Sequence, residues 1–343
     1  MVSIKDVARV AGVSDKTVSR VVNGEPNVHP DTQERVERAI ADLKYVPNLS
    51  ARLVRTNQSR TIGVMTDFVS TTPYSGNIVR GIQDWAKAAG RTVLIINTGG
   101  DPDEERRAWR TFQEHRSDGV IFATMAHRDV AIRGRDLPVA TVLVNCVSTA
   151  DTNLPAMVPN DYAGSKELIE LLCKQGHRRI GYVRLNPALK AAHLRITAFR
   201  DTLNEHNIVP DETLIVDGMY GEVGQDINVA FESTLELLRR PDPPTAIVAG
   251  NDEIALPVYC AAMSMGLRIP HDVSIVGFDD FQTVARGLRP QLTTAALPYY
   301  RLGMEGARML EAILVDSSAY AGVHYMDCPI IERQSVASPG PDF

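Results

Sequence analysis

The first two dozen residues constrain the fold of this chain more than any other stretch. Their apolar positions recur with the period of an amphipathic helix: Ile4, Val7, Ala8 and Ala11. Gly12 interrupts this run, and Ser14 stands where it can cap a second helix. The apolar face of that second helix consists of Val18, Val21 and Val22. Two short helices joined by a tight glycine turn predict a helix-turn-helix.

The second helix carries polar residues on the face opposite its valines. Side chains that can hydrogen-bond to base edges or phosphates are expected there: Asp15, Lys16, Thr17, Ser19, Arg20 and Asn23. This face predicts a recognition helix for the major groove of DNA. Helical hairpins with polar outer faces also occur in proteins that bind no nucleic acid, and the motif alone leaves that alternative open.

A third helix is expected from Pro30, which suits a first helical position, to Leu43. Residues 1–60 contain ten Lys and Arg against seven Asp and Glu, a net charge of +3. Because the whole chain has a net charge of −6, the remainder carries −9. A basic head on an acidic body directs phosphate attraction to one end of the molecule, although +3 is too small to predict DNA binding by itself.

Four stretches of the head carry a resemblance to a known family. They are Ile4-Lys5-Asp6-Val7-Ala8, Ala11-Gly12-Val13-Ser14, Thr17-Val18-Ser19-Arg20-Val21-Val22-Asn23 and Tyr45-Val46-Pro47-Asn48. They resemble the head of the LacI/GalR family of bacterial transcription regulators, and the resemblance continues to Arg333-Gln334-Ser335. It implies a homodimeric repressor whose two heads read adjacent half-sites of a pseudopalindromic operator in double-stranded DNA. It also implies a sensor domain that binds a small effector.

This resemblance divides the chain into a head at 1–47, a hinge helix or linker at 48–60 and an effector-binding and dimerisation domain at 61–343. In the family, two hinge helices pack together over the minor groove, where a leucine wedges between base pairs and kinks the duplex. Here Val54 stands at the wedge position with Leu53 beside it, so either residue could be the wedge. An ordinary flexible linker remains the alternative for this polar segment.

From residue 61 the pattern becomes an α/β fold in which short β-rich stretches alternate with helix-length segments. Strands are expected at 62–65, 93–96, 120–123, 139–144, 180–183, 213–216, 245–249, 273–276 and 323–330. Helices are expected at 77–89, 104–115, 163–175, 194–204, 223–239, 253–265 and 302–314. This order predicts two lobes of doubly wound parallel sheet. The resemblance implies a body like that of periplasmic binding proteins, with three crossings between lobes: an N-lobe of about 61–159 and 290–320, and a C-lobe of about 160–289 and 321–335.

Ligands of such sheets bind beyond the carboxyl ends of the strands, which here face the cleft between lobes. Polar residues at these ends are Asp67, Asn145, Asn251 and Asp279, and they suit a ligand with many hydroxyls. The family's effector-contacting arginine, asparagine and aspartate correspond by resemblance to Arg195, Asn251 and Asp279. Tyr74 and Tyr220 could stack on a ring. Asp252 and Asp280 are expected to cap helices or to connect the lobes instead.

These features predict a DNA-binding repressor of sugar-metabolism genes controlled by a carbohydrate effector, with no catalytic residue, cofactor or metal site. A nucleobase or other metabolite is the alternative effector, and a sugar-binding receptor or enzyme is a remote alternative. No apolar run approaches the length of a membrane span, so no membrane partner is expected. The expected location is the cytoplasm, on the nucleoid. Cys146, Cys173 and Cys260 lie in apolar patterns that predict buried, reduced thiols.

Overall fold

The computed structural model describes residues 2–22, 25–45, 59–70, 72–73 and 75–340. The chain forms two compact units, Met1–Ser59 and Arg60–Phe343. The hinge at 48–60 therefore falls almost entirely outside the described residues, and Leu53 and Val54 are among those left out. The question of which of them is the wedge stays as the sequence leaves it.

The head unit has the three helices expected from its sequence. They are α1 Ile4–Ala11, α2 Asp15–Val22 and α3 Pro30–Asp42. Ser3 and Asp6 cap the start of α1 reciprocally, and Gly12 ends it in the left-handed region at φ 66°. The amide of Thr17 donates to Ser14 Oγ at 3.2 Å, as a capping serine requires. The helices enclose a small core of Val7, Ala8, Ala11, Val18, Val36 and Ala39.

The body unit opens with a lobe built on a six-stranded parallel sheet, here called the N-lobe. Its strands are β1 Thr61–Thr66, β2 Thr92–Asn97, β3 Gly119–Val130, β4 Ala140–Ser148, β5 Ala156–Pro159 and β13 Val323–Met326, in the spatial order β13-β5-β4-β3-β1-β2. Its helices are α4 Gly76–Ala88, α5 Pro102–Glu114 and α11 Tyr299–Val315. The strands are parallel throughout. The inner strands β1, β3 and β4 are buried along most of their length, as for a sheet covered on both faces, whereas the edge strand β2 is half-buried.

The second lobe of the body, the C-lobe, has its own six-stranded sheet in the order β14-β12-β11-β10-β6-β7. Its strands are β6 Ile180–Arg184, β7 Ile215–Asp217, β10 Ala246–Ala249, β11 Ser274–Phe278, β12 Thr293–Ala295 and β14 Ile330–Ile331, and β8 Met219–Tyr220 pairs with β9 Ile227–Asn228 in a separate hairpin. Its helices are α6 Asp161–Lys174, α7 Lys190–Glu205, α8 Ala230–Leu238, α9 Asp252–Ser264 and α10 Gln282–Ala285. Among the described strands of the six-stranded sheet, only β14 runs antiparallel to its neighbour, and the separate β8–β9 pair is antiparallel as well.

Strand pairing corrects the expected lobe boundaries at two places. The sequence prediction put residues 290–320 in the N-lobe, but β12 at 293–295 pairs with β11 of the C-lobe. It put residues 321–335 in the C-lobe, but β13 at 323–326 pairs with β5 of the N-lobe. The single strand expected at 323–330 is therefore two strands on different sheets, because the chain crosses between the lobes within it.

Two further expectations differ from the structure. The helix expected at 223–239 begins only at Ala230, because the residues before it form the β8–β9 hairpin. The cysteines expected to be buried include Cys260, which is exposed on α9, whereas Cys146, Cys173 and Cys328 are buried thiols. Among the described residues, none of the helices combines the length and the apolar character that a membrane span needs.

Candidate effector cavity and recognition helix

The recognition helix α2 presents fewer side chains than its sequence predicts. Asp15, Lys16 and Arg20 are exposed, and Thr17 is half-buried with its hydroxyl 2.9 Å from Ser14 Oγ. Ser19 is only 6% exposed, so the expectation that it lies on the outward face is wrong for the head as it stands. α2 packs against both α1 and α3, so more than one side of this short helix is covered. Asn23 lies outside the described residues.

Arg20 already has a charged partner within the head. Its Nε lies 3.5 Å from Glu25 Oε2, with about half of each side chain exposed (44% and 49%). An exposed pair of this kind contributes little to stability, so Arg20 can exchange Glu25 for a base or a phosphate at small cost.

A cavity of about 370 Å³ lies between the lobes at the carboxyl ends of their strands. Its acidic lining residues are Asp226, Glu253 and Asp279. Its apolar lining includes Leu185, Leu189, Met219, Leu297 and Tyr299. Among the described residues that line it, Arg195 is the only Lys or Arg. The cavity therefore combines an apolar wall with an excess of carboxylates.

Arg195 has its charge neutralised inside the protein. This residue of α7 is 4% exposed, and its Nε donates to Asp161 Oδ1 at 2.7 Å. Its Nη1 donates to the carbonyl of Gly250 at 2.7 Å, and its Nη2 lies 3.6 Å from Asp279 Oδ1. The guanidinium carbon stands 3.6 Å from the centre of the Phe278 ring. Arg195 is thus held rigidly at the cavity wall, as preorganised recognition requires.

Two residues connected to Arg195 were not among the predicted site residues: Asp161, which pairs with it, and His127, which contacts Asp161. Asp161 is the first residue of α6 and is fully buried, with His127 Nδ1 2.7 Å from its Oδ2. Burial by itself would raise the pKa of Asp161. The charge of Arg195 and the hydrogen bond from His127 together outweigh burial, so the pKa is lowered from its usual value. Asp161 follows the carboxyl end of β5, which is the kind of position that predicts a site residue. The sequence prediction missed it because β5 is short and was not among the predicted strands.

Asn251 and Asp279 line the cavity as the sequence predicts. Asn251 caps α9, its Oδ1 accepting from the amide of Ile254 at 2.9 Å. Asp279 is 7% exposed and adopts φ 118°, a conformation that L residues rarely take and that marks functional sites. Burial raises the pKa of Asp279 from 3.8 to about 7, with Arg195 opposing the shift and Asp161 adding to it.

The raised pKa of Asp279 predicts a pH-dependent stability. A carboxyl whose pKa is higher in the folded than in the unfolded chain contributes stability that is present below pH ~4 and is lost as the pH rises through about 7. Asp279→Asn does not titrate. From pH 5 to pH 8, urea unfolding should show the parent losing on the order of 3 kcal/mol relative to Asp279→Asn. Parallel pH profiles for the two proteins would contradict this assignment.

Asp67 and Asn145 take part in the lobe's internal bonding and do not line the cavity. Asp67, 2% exposed, accepts from the amide of Met125 at 2.9 Å and from Arg128 Nη2 at 3.2 Å. Asn145, fully buried at φ 61°, donates to the carbonyls of Thr124 and Met125 at 3.0 and 3.1 Å. Both bind the backbone of the β3 segment that reaches the cavity, so they shape it from behind. The prediction that they contact the effector directly is not supported by these positions.

Tyr220 and Tyr74 were predicted to stack on a ring of the ligand. Tyr220 is 44% exposed and is not part of the cavity lining, whereas its neighbour Met219 is. Successive residues of a strand point to opposite faces, so only one of the two can face the cavity. Tyr74 lies outside the described residues. Tyr299, which was not among the predicted site residues, lines the cavity wall.

Asp252 and Asp280 are internal struts of the C-lobe. Asp252, fully buried, accepts from the amide of Phe281 at 2.7 Å and from Thr294 Oγ1 at 2.7 Å. Asp280 Oδ1 accepts from Arg333 Nη2 at 2.5 Å. Both residues are structural, as expected, but they connect parts of the C-lobe and do not cap a helix or connect the two lobes as the sequence predicted.

Comparison with known proteins identifies the family. Residues 3–48 match the model of bacterial regulatory proteins of the lacI family, and residues 169–336 match that of a periplasmic binding protein-like domain. The sucrose operon repressor of Escherichia coli is 33% identical over 342 residues, covering 98% of this chain and 100% of the relative. The chain belongs to the LacI family. The recognition made from the head motifs is thereby confirmed.

Solved LacI-family structures share its fold. A crystal structure from Rhizobium etli assigned to this family is 50% identical, covers 82% of this chain and has a TM-score of 0.77. The lac repressor dimer, solved with operator and an anti-inducer, is 26% identical, covers 98% of this chain and has a TM-score of 0.81. The predicted architecture, a helix-turn-helix head on a two-lobed α/β body, is therefore confirmed. So is the prediction of a DNA-binding transcriptional regulator.

Proposed function

We propose that this protein is a homodimeric repressor of sugar-metabolism genes, released from or held on its operator by a neutral sugar bound between the lobes. The observation that carries the effector assignment is the acidic cavity. Its described lining combines Asp226, Glu253 and Asp279 with a single arginine that Asp161 already neutralises.

The charge of the cavity argues for the class of effector. Carboxylate and amide oxygens accept hydrogen bonds from sugar hydroxyls, and one carboxylate can bridge two adjacent hydroxyls. A phosphorylated or carboxylated ligand would bring a negative charge beside three carboxyl groups, and burial already raises the pKa of Asp279 and Glu253 among them. Because no free Lys or Arg lies among the described lining residues, that charge would be costly to bury. A neutral polyol meets no such penalty.

The contacts of Asp252 argue against one carboxyl pair that could act in catalysis. A sugar-modifying enzyme needs two carboxyl groups that face the bond to be cleaved. Asp252 cannot form such a pair with Asp279, because both of its oxygens are engaged inside the C-lobe by Phe281 and Thr294. Asp279 therefore lacks that partner for acid–base work.

An exposed apolar row on the C-lobe supports a homodimer. Leu256, Cys260 and Met263 of α9 are spaced along one side of the helix, and Leu256 and Met263 are 43% and 60% exposed. An apolar row that faces water on a helix marks an interaction surface.

DNA recognition is tested with substitutions in the recognition helix of the head. Lys16→Ala and Arg20→Ala should each weaken binding to the protein's own operator by about 1 to 3 kcal/mol, since a side chain that reads a base edge contributes that much discrimination. Arg38→Ala is the matched control, because Arg38 is an exposed arginine of α3 whose partner is Glu34. Fluorescence anisotropy with operator and with scrambled DNA measures both affinities. Equal losses on the two DNAs would assign these side chains to phosphates.

The effector is tested in the same assay. Sucrose, cellobiose and D-ribose, a sugar phosphate and a nucleobase are each added to the protein–operator complex. We expect a neutral sugar to change operator affinity about 5- to 150-fold, and linkage requires the operator to change the sugar's affinity by the same factor. A response to the nucleobase alone would replace the carbohydrate assignment and leave the regulator in place.

A further inference from the structure

His127 is a buried histidine that lines the cavity, and one of its ring nitrogens has no hydrogen-bond partner among the described residues. It belongs to β3 of the N-lobe, lines the cavity and is 2% exposed. Its Nδ1 lies 2.7 Å from Asp161 Oδ2, while its Nε2 is buried and has no hydrogen-bond partner among the described residues. Buried polar atoms are nearly always paired in native proteins, so an unpaired one beside a cavity points to a partner that comes from outside.

Comparison with His177 shows what a purely structural histidine looks like in this protein. His177 is 1% exposed, and its Nδ1 lies 2.8 Å from Thr245 Oγ1. Its Nε2 lies 3.1 Å from Ser274 Oγ and 2.9 Å from the carbonyl of Ala337. Both nitrogens of His177 are therefore satisfied by the fold, whereas only Nδ1 of His127 has a partner in the described part of the chain.

The hydrogen bonds of Asp161 determine which ring nitrogen of His127 carries the proton and which can bind a ligand. Asp161 is paired with Arg195 through its other oxygen at 2.7 Å, which favours its ionised form. An ionised carboxylate only accepts hydrogen bonds, so the proton of the imidazole that faces it lies on Nδ1. Nε2 then accepts a hydrogen bond in the neutral ring and donates one in the cation. A hydroxyl group can complement either form.

Building on the proposed function, we propose that His127 is an effector-contacting residue that determines specificity. Its Nε2 hydrogen-bonds a hydroxyl of the sugar, and Asp161 is the positioning residue that orients the ring.

The location of this contact also connects it to the movement of the lobes. His127 comes from the N-lobe, and Asp161 and Arg195 come from the C-lobe. A hydroxyl bound to Nε2 therefore sits at the junction of the two lobes. Its binding favours the arrangement in which His127 and Asp161 remain in contact, which is the differential affinity that a ligand-driven shift requires.

Calorimetry on three variants of the full chain tests the proposal. His127→Asn retains an amide that can donate to Asp161 but has no atom at the position of Nε2. His127→Gln extends an amide to about the position of Nε2. His193→Asn, at an exposed position of α7, is the matched control. Each is titrated with whichever of sucrose, cellobiose and D-ribose binds the parent most tightly, and melting temperatures are measured in parallel.

We expect His127→Asn to weaken sugar binding about 5- to 100-fold, the effect of losing one buried hydrogen bond. His127→Gln should recover part of that loss, and His193→Asn should bind like the parent. An affinity of His127→Asn within twofold of the parent overturns this inference alone. If the parent binds none of the three sugars, the proposed function fails, and this inference fails with it.

A second measurement covers the case in which His127→Asn does not fold. The ring ¹⁵N resonances of the parent are recorded, and those of His127 are identified by their absence from the spectrum of His127→Gln. Saturation with the sugar should move the Nε2 resonance more than the Nδ1 resonance. An Nε2 resonance that does not respond to the sugar overturns the proposal.

Discussion

Arg195→Ala should lower the free energy of unfolding by about 3 to 5 kcal/mol, and it should also abolish the response to effector. Asp161 is fully buried and depends on Arg195 for its charge compensation, so the substitution leaves an uncompensated carboxylate in the interior. Urea denaturation measures the loss of stability, and operator binding with and without sugar measures the response. The sequence alone predicts a variant that folds normally, because it does not show the contact with Asp161.

Arg200→Ala is the matched control for this prediction. Arg200 lies on the same helix α7 and pairs with Glu212 at 2.7 Å, but its side chain is 39% exposed. An exposed pair is worth less than about 1 kcal/mol, so this variant should resemble the parent. Adding Asp161→Asn to Arg195→Ala should restore part of the stability, since it removes the stranded charge. Equal stabilities of Arg195→Ala and Arg200→Ala would show that Asp161 does not depend on Arg195.

Gly81→Ala is expected to destabilise the N-lobe by on the order of 3 kcal/mol. Gly81 lies on α4 where this helix crosses α11, and a methyl group there would overlap the carbonyl oxygen of Tyr300. That atom belongs to the helix backbone, so relief requires the two helices to separate and their packed residues to lose contact. Thermal and urea unfolding measure the effect.

Gly76→Ala, at the start of the same helix, separates the steric effect from helix propensity. Among the described residues, the one atom that a Cβ at Gly76 would meet is the carbonyl oxygen of Val69, at 3.9 Å, which is an ordinary contact. This substitution should be neutral or stabilise by about 0.4 to 1 kcal/mol, because it reduces the freedom of the unfolded chain. A stable Gly81→Ala protein would mean that α4 and α11 can move apart without cost.

Local patterns in the sequence determined the elements and the family. The period of Val7, Ala8 and Ala11 and the stop at Gly12 determined the head, because a helix in so small a unit has one apolar face and one place to bury it. Buried runs such as β1 and β10 were predictable for the same reason: a central parallel strand is apolar on both faces. Arg195, Asn251 and Asp279 were predictable from family motifs and lie at the cavity.

Elements that depend on long-range pairing were not predictable in this way. β12 and β13 are short strands whose positions depend on the strands they pair with, β11 and β5. The residue pattern of a short strand does not predict which lobe it belongs to. β3 was expected to end near Ala123, but it continues past an irregularity in its pairing with β4 and reaches Val130. That extension brings His127 to the cavity.

The triplet His127-Arg128-Asp129 shows most clearly what the sequence determines and what only the tertiary structure decides. By itself it resembles part of a kinase catalytic loop, but the sequence has no Gly-rich loop or Asp-Phe-Gly to accompany it. In the structure its members contact three different elements: His127 meets Asp161, Arg128 meets Asp67, and Asp129 accepts from Lys190 at 3.0 Å. Sequence determines which groups a residue carries and which face of an element it occupies. Only the tertiary structure decides which distant groups meet it, because those distances depend on sheet order, and sheet order brings together residues far apart in the chain.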